Sequence, residues 1–214
     1  MSFFLHEQHY RDLAFAQGQQ ITVCGCGALG ANLAESLARM GFCNLVLIDR
    51  DRIEQHNLST QPWTQQDIGA PKTRVLANLL YRAVAARCRA HQLELTPVNA
   101  ANLLEGSALV IDAFDNLEGR RAVAEAASAT NIPCLHIALS GSGDYGCGLW
   151  DERFTLRSSA SQQDSCDYPL TRPLALLVAN AAAETVAHFF ATGERRSFEL
   201  TLRDMRLNPL AQLV

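Results

Sequence analysis

Lysine is almost absent from this chain: Lys72 stands alone against 17 arginines. With 18 basic and 22 acidic side chains the formal net charge is −4. That leaves no overall positive field of the kind that draws a protein to nucleic acid, and no nucleic-acid partner is expected. The sequence shows no secretory h-region, no lipidation signal and no unbroken apolar run of about 18 residues, so no membrane partner is expected either. The seven cysteines, at 24, 26, 43, 88, 134, 147 and 166, are odd in number and scattered. They do not read as a disulfide framework, and a reducing cytoplasm is the expected location. Cys24 and Cys26 lie too close together for a Cys-x2-Cys pair, and no second pair answers them, so no structural zinc is expected. Internal repeats are missing, and residues 157–166 are the only low-complexity stretch.

Apolar residues make up 48% of the 214, enough for a substantial core, and the whole chain reads as a single domain over residues 1–214. Apolar periodicity predicts a short amphipathic helix at 4–16, a strand at 21–24, a helix at 28–40 and a strand at 44–49. A second helix is expected at 71–90, with strands at 92–97 and 108–113. A helix at 117–130 and a strand at 133–139 follow. Near-continuous apolar strands alternating with helices indicate a parallel sheet covered on both faces. From residue 145 the pattern changes to strands or hairpins at 145–157 and 197–207 around a helix at 173–190. The expected fold is α/β, Rossmann-like and doubly wound. A mostly parallel nucleotide-binding half spans about residues 18–140, and an antiparallel extension lies within about 141–214.

Gly25-x-Gly27-x-x-Gly30 directly follows the first strand and opens the first long helix. Glycines permit a tight turn and close approach of backbone N–H groups to phosphate, and the helix N-terminus adds partial positive charge. Asp49 lies 19 residues beyond Gly30, at the end of the next strand, where a carboxylate can hold ribose hydroxyls. These features permit an NAD(P)-dependent oxidoreductase as well as other nucleotide enzymes. Against the oxidoreductase stands the stretch after Asp49, about twenty irregular residues before the next helix. A loop of that length in a compact domain is usually functional. It is rich in polar groups and includes Pro62 and Trp63, which could pin it.

Lys72 opens the following helix, where a cation opposes the helix dipole by about 0.3–1 kcal/mol unless an anion binds there. Asp115 and Asn116 fall just past a buried strand, at the sheet edge that also carries the glycine turn and Asp49. A carboxylate beside polyphosphate suits Mg²⁺, and Asp115-Asn116 would also cap the next helix.

Four runs in order, GCGALGANLAESLARMG, LVLIDRDRIEQHNLSTQ, DIGAPK and VIDAFDN, resemble the adenylation domain of the ThiF/MoeB/HesA group, the enzymes that activate ubiquitin-like proteins. The family pattern is GxGxxG, DxDxVxxxNLxRQ, GxxK and DxxDN, and the resemblance spans roughly residues 5–205. It implies ATP and Mg²⁺ as cofactors, and as partner a small ubiquitin-like protein with a C-terminal glycine whose carboxylate is adenylated. It implies a nucleotide site of Gly25, Gly27, Ala28, Gly30, Asp49, Asp51, Asn57, Gln61, Lys72 and Asn116, with Lys72 and Asp115 catalytic and Asp115 on the metal. Arg11 would reach the ATP of the second subunit in a homodimer, and Cys166 would accept the activated acyl group. Three departures from the family stand out, one of them the shortness of the chain, which is expected to leave little for a separate partner-binding domain. Thr60 replaces the arginine of NLxRQ, which would meet the β- and γ-phosphates, and the paired Cys-x2-Cys motifs are missing. Thr60 keeps open a second reading, a degenerate member that binds nucleotide or a ubiquitin-like partner without chemistry.

Overall fold

The computed structural model describes residues 2–155 and 169–210. Five segments form a parallel sheet: Gln20–Cys24 (β1), Asn44–Ile48 (β2), Arg87–His91 (β3), Leu109–Asp112 (β4) and Cys134–Leu139 (β5). Tyr145–Trp150 (β6), Phe198–Thr201 (β7) and Arg206–Pro209 (β8) extend it with antiparallel pairings. The order across the eight strands is β3-β2-β1-β4-β5-β6-β7-β8. This is the Rossmann-like α/β sheet with an antiparallel C-terminal extension that the strand–helix alternation predicts.

Among the described residues six α-helices accompany the sheet: Leu13–Gly18 (α1), Gly30–Arg39 (α2), Lys72–Val84 (α3), Ala100–Leu104 (α4), Leu117–Thr130 (α5) and Arg172–Thr192 (α6). Because side chains alternate along a strand, the two faces make two cores. Ile21, Val23, Leu45, Leu47 and Ile111 pack with Leu33 and Leu37 of α2, Leu76 and Leu80 of α3, and Val178 and Ala182 of α6. Cys24, Val46, Ile48, Val110 and Cys134 pack with Leu104 of α4 and Val123 and Ala127 of α5. Helix α6 is long and apolar enough to cross a membrane by length and composition. Here Leu174, Ala175, Val178, Ala179, Ala182, Ala183, Val186 and Ala187 are buried in the protein. Its small side chains let it lie close against α2 and β6.

Several boundaries differ from the sequence reading. The expected helix at 4–16 is a 3-10 turn at Glu7–His9 followed by α1, because Asp12 accepts a hydrogen bond from Phe15 N at 3.1 Å and starts a new helix. The expected helix at 71–90 stops at Val84, where Ala85 takes the left-handed conformation with φ 56°. The next strand is Arg87–His91 and not 92–97. That strand lies at the edge of the sheet, so its sequence RCRAH carries no apolar run. Helix α4 is an addition. The C-terminal strands are shorter than 145–157 and 197–207, and the second range splits into the β7–β8 hairpin.

Candidate active site

The carboxyl ends of β1, β2 and β4 open onto a cleft of about 550 Å³. From β1 the chain turns into α2 on one face of the sheet, and from β4 it turns into α5 on the other. The cleft therefore sits at the topological switch point, where open α/β sheets bind ligands. Gly25, Gly27, Ala28, Asp49, Asp51, Asn57, Gln61, Lys72, Asp115 and Asn116 all line it.

The three glycines do different work. Gly25 has φ 95°, and a Cβ there would stand 2.9 Å from the carbonyl oxygen of Ala113. At Gly30 a Cβ would stand 1.8 Å from the carbonyl oxygen of Gly25, so the helix can start against the turn only with glycine. Gly30 packs behind the turn and does not line the cleft. A Cβ on Gly27 would meet nothing within 4 Å. Close packing of the protein does not require glycine there; the space beside it is cleft. Helix α2 begins three residues later, and the first N–H groups of a helix lack intrahelical acceptors.

Asp49 is buried and fastens the turn. Its Oδ2 accepts from Cys26 N at 2.6 Å and its Oδ1 from Asp51 N at 2.8 Å. Burial pushes its carboxyl above the ordinary value, against the pull of Lys72 and the two N–H donors. Lys72 is also buried, with Nζ donating to Asp51 Oδ2 at 3.0 Å. Burial alone would lower its pKa, but Asp49 and Asp51 outweigh burial and hold the ammonium above the ordinary lysine value. The single lysine thus stands as a fixed cation on the cleft wall.

The long stretch between β2 and α3 is a built wall. It contains 3-10 turns at Gln55–Ser59 and Gln65–Asp67. Buried Ile53 and Trp63 anchor it, and Trp63 Nε1 donates to Gln61 Oε1 at 2.7 Å. Asn57 closes a capping box, its Oδ1 accepting from Glu54 N at 2.9 Å. Thr60 is buried and lines the cleft, with its carbonyl oxygen held by Asn32 Nδ2 at 2.9 Å. Of the arginines that could stand in for the one missing at position 60, Arg50 lines the cleft and pairs with Glu94 at 2.6 Å. Arg52 donates to Gly69 O at 2.7 Å, and Arg74 is exposed outside the lining. Arg172, at the start of α6, donates to Gln61 O at 3.4 Å and was not legible from its position in the sequence.

Asp115 is exposed at the mouth. Asn116 lines the cleft and also caps α5, its Oδ1 accepting from Gly119 N at 2.8 Å. Leu93, Leu95 and Phe114 add an apolar wall that the sequence reading did not anticipate. Arg11 lies elsewhere, donating to Glu7 at 2.8 Å and Glu184 at 2.6 Å of its own chain. Cys166 lies outside the described residues.

Sequence reasoning also missed a buried polar cluster on the α5 face of the sheet. His136 Nδ1 lies 2.8 Å from Asp112 Oδ2, and its Nε2 lies 3.4 Å from Asp151 Oδ1. Burial disfavours an imidazolium there, but the two aspartates outweigh it and His136 titrates above the ordinary histidine value.

Comparison with known proteins agrees with this architecture. The ThiF family model matches residues 4–202. The chain belongs to the ThiF family. The adenylyltransferase and sulfurtransferase MOCS3 of Danio rerio is 35% identical over 117 residues, 54% of this chain and 26% of that protein. The sulfur carrier protein adenylyltransferase of Thermus thermophilus is 32% identical over 121 residues, 56% of this chain and 45% of the relative. The sulfur carrier protein ThiS adenylyltransferase of Bacillus subtilis is 34% identical over 125 residues, 56% of this chain and 37% of the relative. These matches thus span less than half the length of each relative. Among solved structures, E. coli MccB with AMPCPP and MccA superposes with a TM-score of 0.79 at 16% identity, covering 96% of this chain and 68% of that one. E. coli MccB with ATP superposes with a TM-score of 0.75 at 18% identity, covering 96% and 69%. At these identities the superpositions bear on the fold.

Proposed function

We propose that this chain is an ATP- and Mg²⁺-dependent adenylyltransferase. Its substrate is the C-terminal carboxylate of a small ubiquitin-like protein or a related carboxylate. The observation that carries this reading is one cleft that gathers the glycine turn, Asp49, buried Lys72 and Asp115 from four separate segments. The sulfur carrier adenylyltransferases among its relatives, and a structural neighbour solved with ATP, support it.

The triphosphate lies along Gly25, Gly27 and Ala28 toward Lys72 and Asn57, the ribose lies at Asp49, and the base lies against Leu93, Leu95 and Phe114. Asp115 would hold Mg²⁺, which neutralises phosphate charge when bound. The residues present fit that ion: five carboxylates, Asp49, Asp51, Glu54, Glu94 and Asp115, line the cleft against the two fixed cations Arg50 and Lys72. An oxygen of the incoming carboxylate attacks the α-phosphorus. The bond from that phosphorus to the α,β-bridging oxygen breaks, pyrophosphate leaves, and an acyl-adenylate remains. The nucleophile is already ionised, so no general base is required. Positioning accounts for up to about 7–11 kcal/mol in favourable cases. Lys72 and backbone N–H groups stabilise the charge that develops. By resemblance alone, acyl transfer to Cys166 and a homodimer in which Arg11 meets the second subunit's ATP belong to the same proposal; a cytoplasmic location belongs to it on the cysteine usage.

Thr60 favours the second reading, nucleotide or partner binding without chemistry. Threonine carries no charge where the family has arginine. Calorimetric titration of ATP with Mg²⁺, beside NAD⁺, into wild type, Lys72→Ala and Asp115→Ala tests both readings. It is paired with ATP–pyrophosphate exchange in the presence of a ubiquitin-like protein ending in Gly-Gly. Metal-dependent ATP binding lost in both variants, together with exchange, is expected. Binding without exchange for any carboxylate offered would establish the non-catalytic reading, and NAD⁺ binding without ATP would overturn both.

A further inference from the structure

The buried cluster beneath α5 has a composition its ion pairs do not explain. Cys134 and His136 are two residues apart on β5 and so face the same side. Asp151 follows β6 directly opposite, and its Oδ2 accepts from Cys134 N at 2.8 Å. That bond turns Oδ1 toward His136. Cys134 Sγ, His136 nitrogen and an Asp151 oxygen all lie within 4.8 Å of one another. Cys134 and His136 are buried and Asp151 is half-buried, so the group has one opening to solvent.

We propose that Cys134, His136 and Asp151 form a site for a divalent transition-metal ion, Zn²⁺ in particular, separate from the nucleotide cleft. Thiolate, imidazole and carboxylate are the ligands zinc takes, and three protein ligands leave a fourth position for solvent on the open Asp151 side. The distances favour an ion over a shared proton. A charged N–H···O bond is usually about 2.7–2.9 Å long. His136 Nε2 and Asp151 Oδ1 are 3.4 Å apart, long for that bond. Two ligand atoms each about 2.0–2.1 Å from a tetrahedral zinc are separated by about 3.3 Å. The sulfur edge would be about 3.6 Å for a Zn–S bond of about 2.3 Å, inside the 4.8 Å that bounds the separations of the three ligand atoms.

The surroundings fit as well. Asp112 Oδ2 holds His136 Nδ1 at 2.8 Å, the carboxylate–histidine pairing that fixes a ligating imidazole and turns its other nitrogen toward Asp151. Phe154 stacks on the ring at 3.6 Å between centroids and 5° between planes. Two cations stand behind the carboxylates: Arg120 Nη1 is 3.3 Å from Asp112 Oδ2, and Arg195 Nη1 is 4.0 Å from Asp151 Oδ2. Both lie against carboxylates and take no ligand position. The expectation of no structural zinc came from linear Cys-x2-Cys spacing. This set is assembled by strand register across β5 and β6 and has no such spacing.

The test is metal binding to the full chain under thiol-reducing, chelator-free conditions. Zn²⁺ is added, free metal is removed by gel filtration, and bound metal is measured. Co²⁺ is then substituted and its absorption recorded. One Zn²⁺ per chain is expected, with a thiolate-to-cobalt charge-transfer band in the near ultraviolet. Cys134→Ser should abolish the band, and Asp151→Asn, at the half-exposed ligand, should weaken binding at least tenfold. Asp112→Asn should weaken it by about 10–100-fold while leaving the band in place. Absence of stoichiometric Zn²⁺, or a charge-transfer band that survives in Cys134→Ser, would overturn the proposal. So would unchanged affinity in folded Asp151→Asn.

Discussion

Replacing the glycines of the turn one at a time separates the part that folds the protein from the part that faces a ligand. Gly27→Ala adds a methyl group to space that holds no protein atom within 4 Å, at a residue without positive φ. Its effect on stability should stay within about 0.5 kcal/mol, the usual limit for a substitution that disturbs no packing. Gly25→Ala combines φ 95° with a Cβ 2.9 Å from Ala113 O, and Gly30→Ala would place its Cβ 1.8 Å from Gly25 O. Backbone strain of this kind costs about 1–3 kcal/mol at Gly25, and the Gly30 clash can be relieved only by moving the turn. For a chain of this size each kcal/mol moves Tm by about 2–4 °C. Nucleotide binding should reverse the order of innocence. If phosphate oxygens approach the backbone at Gly27, the methyl group displaces at least one charge-assisted hydrogen bond worth about 1.5–3 kcal/mol, so ATP affinity falls about 10- to 150-fold. Thermal melts and calorimetric titration of ATP with Mg²⁺ on the three variants read both quantities. A Gly27→Ala protein that melts like wild type and binds ATP as well would refute the phosphate-facing role of this turn.

Trp63→Ala removes a buried indole and its bond to Gln61, which should lower stability by about 3–5 kcal/mol by denaturant titration and loosen the wall that carries Asn57 and Thr60. Burial pushes the thiols of Cys24, Cys26 and Cys134 well up, and that of Cys88 up to about 12. Alkylation of the metal-free native protein at pH 8, mapped by mass spectrometry, should therefore leave these four unmodified until denaturant is added.

That these residues gather in one cleft was legible because they sit where sequence-local rules place them. The glycines follow a strand and open a helix, Asp49 ends the next strand, and Asp115-Asn116 follow β4. The sheet edge was less legible. RCRAH at β3 reads as helix because an edge strand buries too little to show alternation, and only Ala85, left-handed, and Ala86 separate it from α3. The roles of Asp49 and Gly30 in holding the turn appear only when the third dimension supplies Cys26 N and the Gly25 carbonyl. The Cys134–His136–Asp151 cluster could not be read at all from linear order. It depends on Asp112 pairing with His136 across β4–β5, and on Leu135 pairing with Trp150 across β5–β6.

The charge on the cleft wall gives the adenylation reading its sharpest physical consequence. Five carboxylates against two fixed cations make a poor receptor for a bare polyphosphate. Lys72 already answers Asp51, and Arg50 answers Glu94. Asp115 is the carboxylate at the mouth, and among the described residues it has no ion-pair partner. One unscreened carboxylate about 4 Å from a phosphate oxygen costs about 1 kcal/mol in water and about 4 kcal/mol at an effective dielectric of 20. Removing divalent cation should therefore weaken ATP binding several-fold to several-hundred-fold. Asp115→Asn should change sign between the two conditions. With Mg²⁺ present it loses a metal ligand and binds ATP more weakly than wild type; in chelator it loses a repulsion and binds ATP more tightly. A purely structural role for Asp115, as part of the turn into α5, predicts the same direction in both conditions. Titrating ATP into both proteins, with Mg²⁺ and with chelator, decides between them, and effects of one sign would remove Asp115 from the metal site.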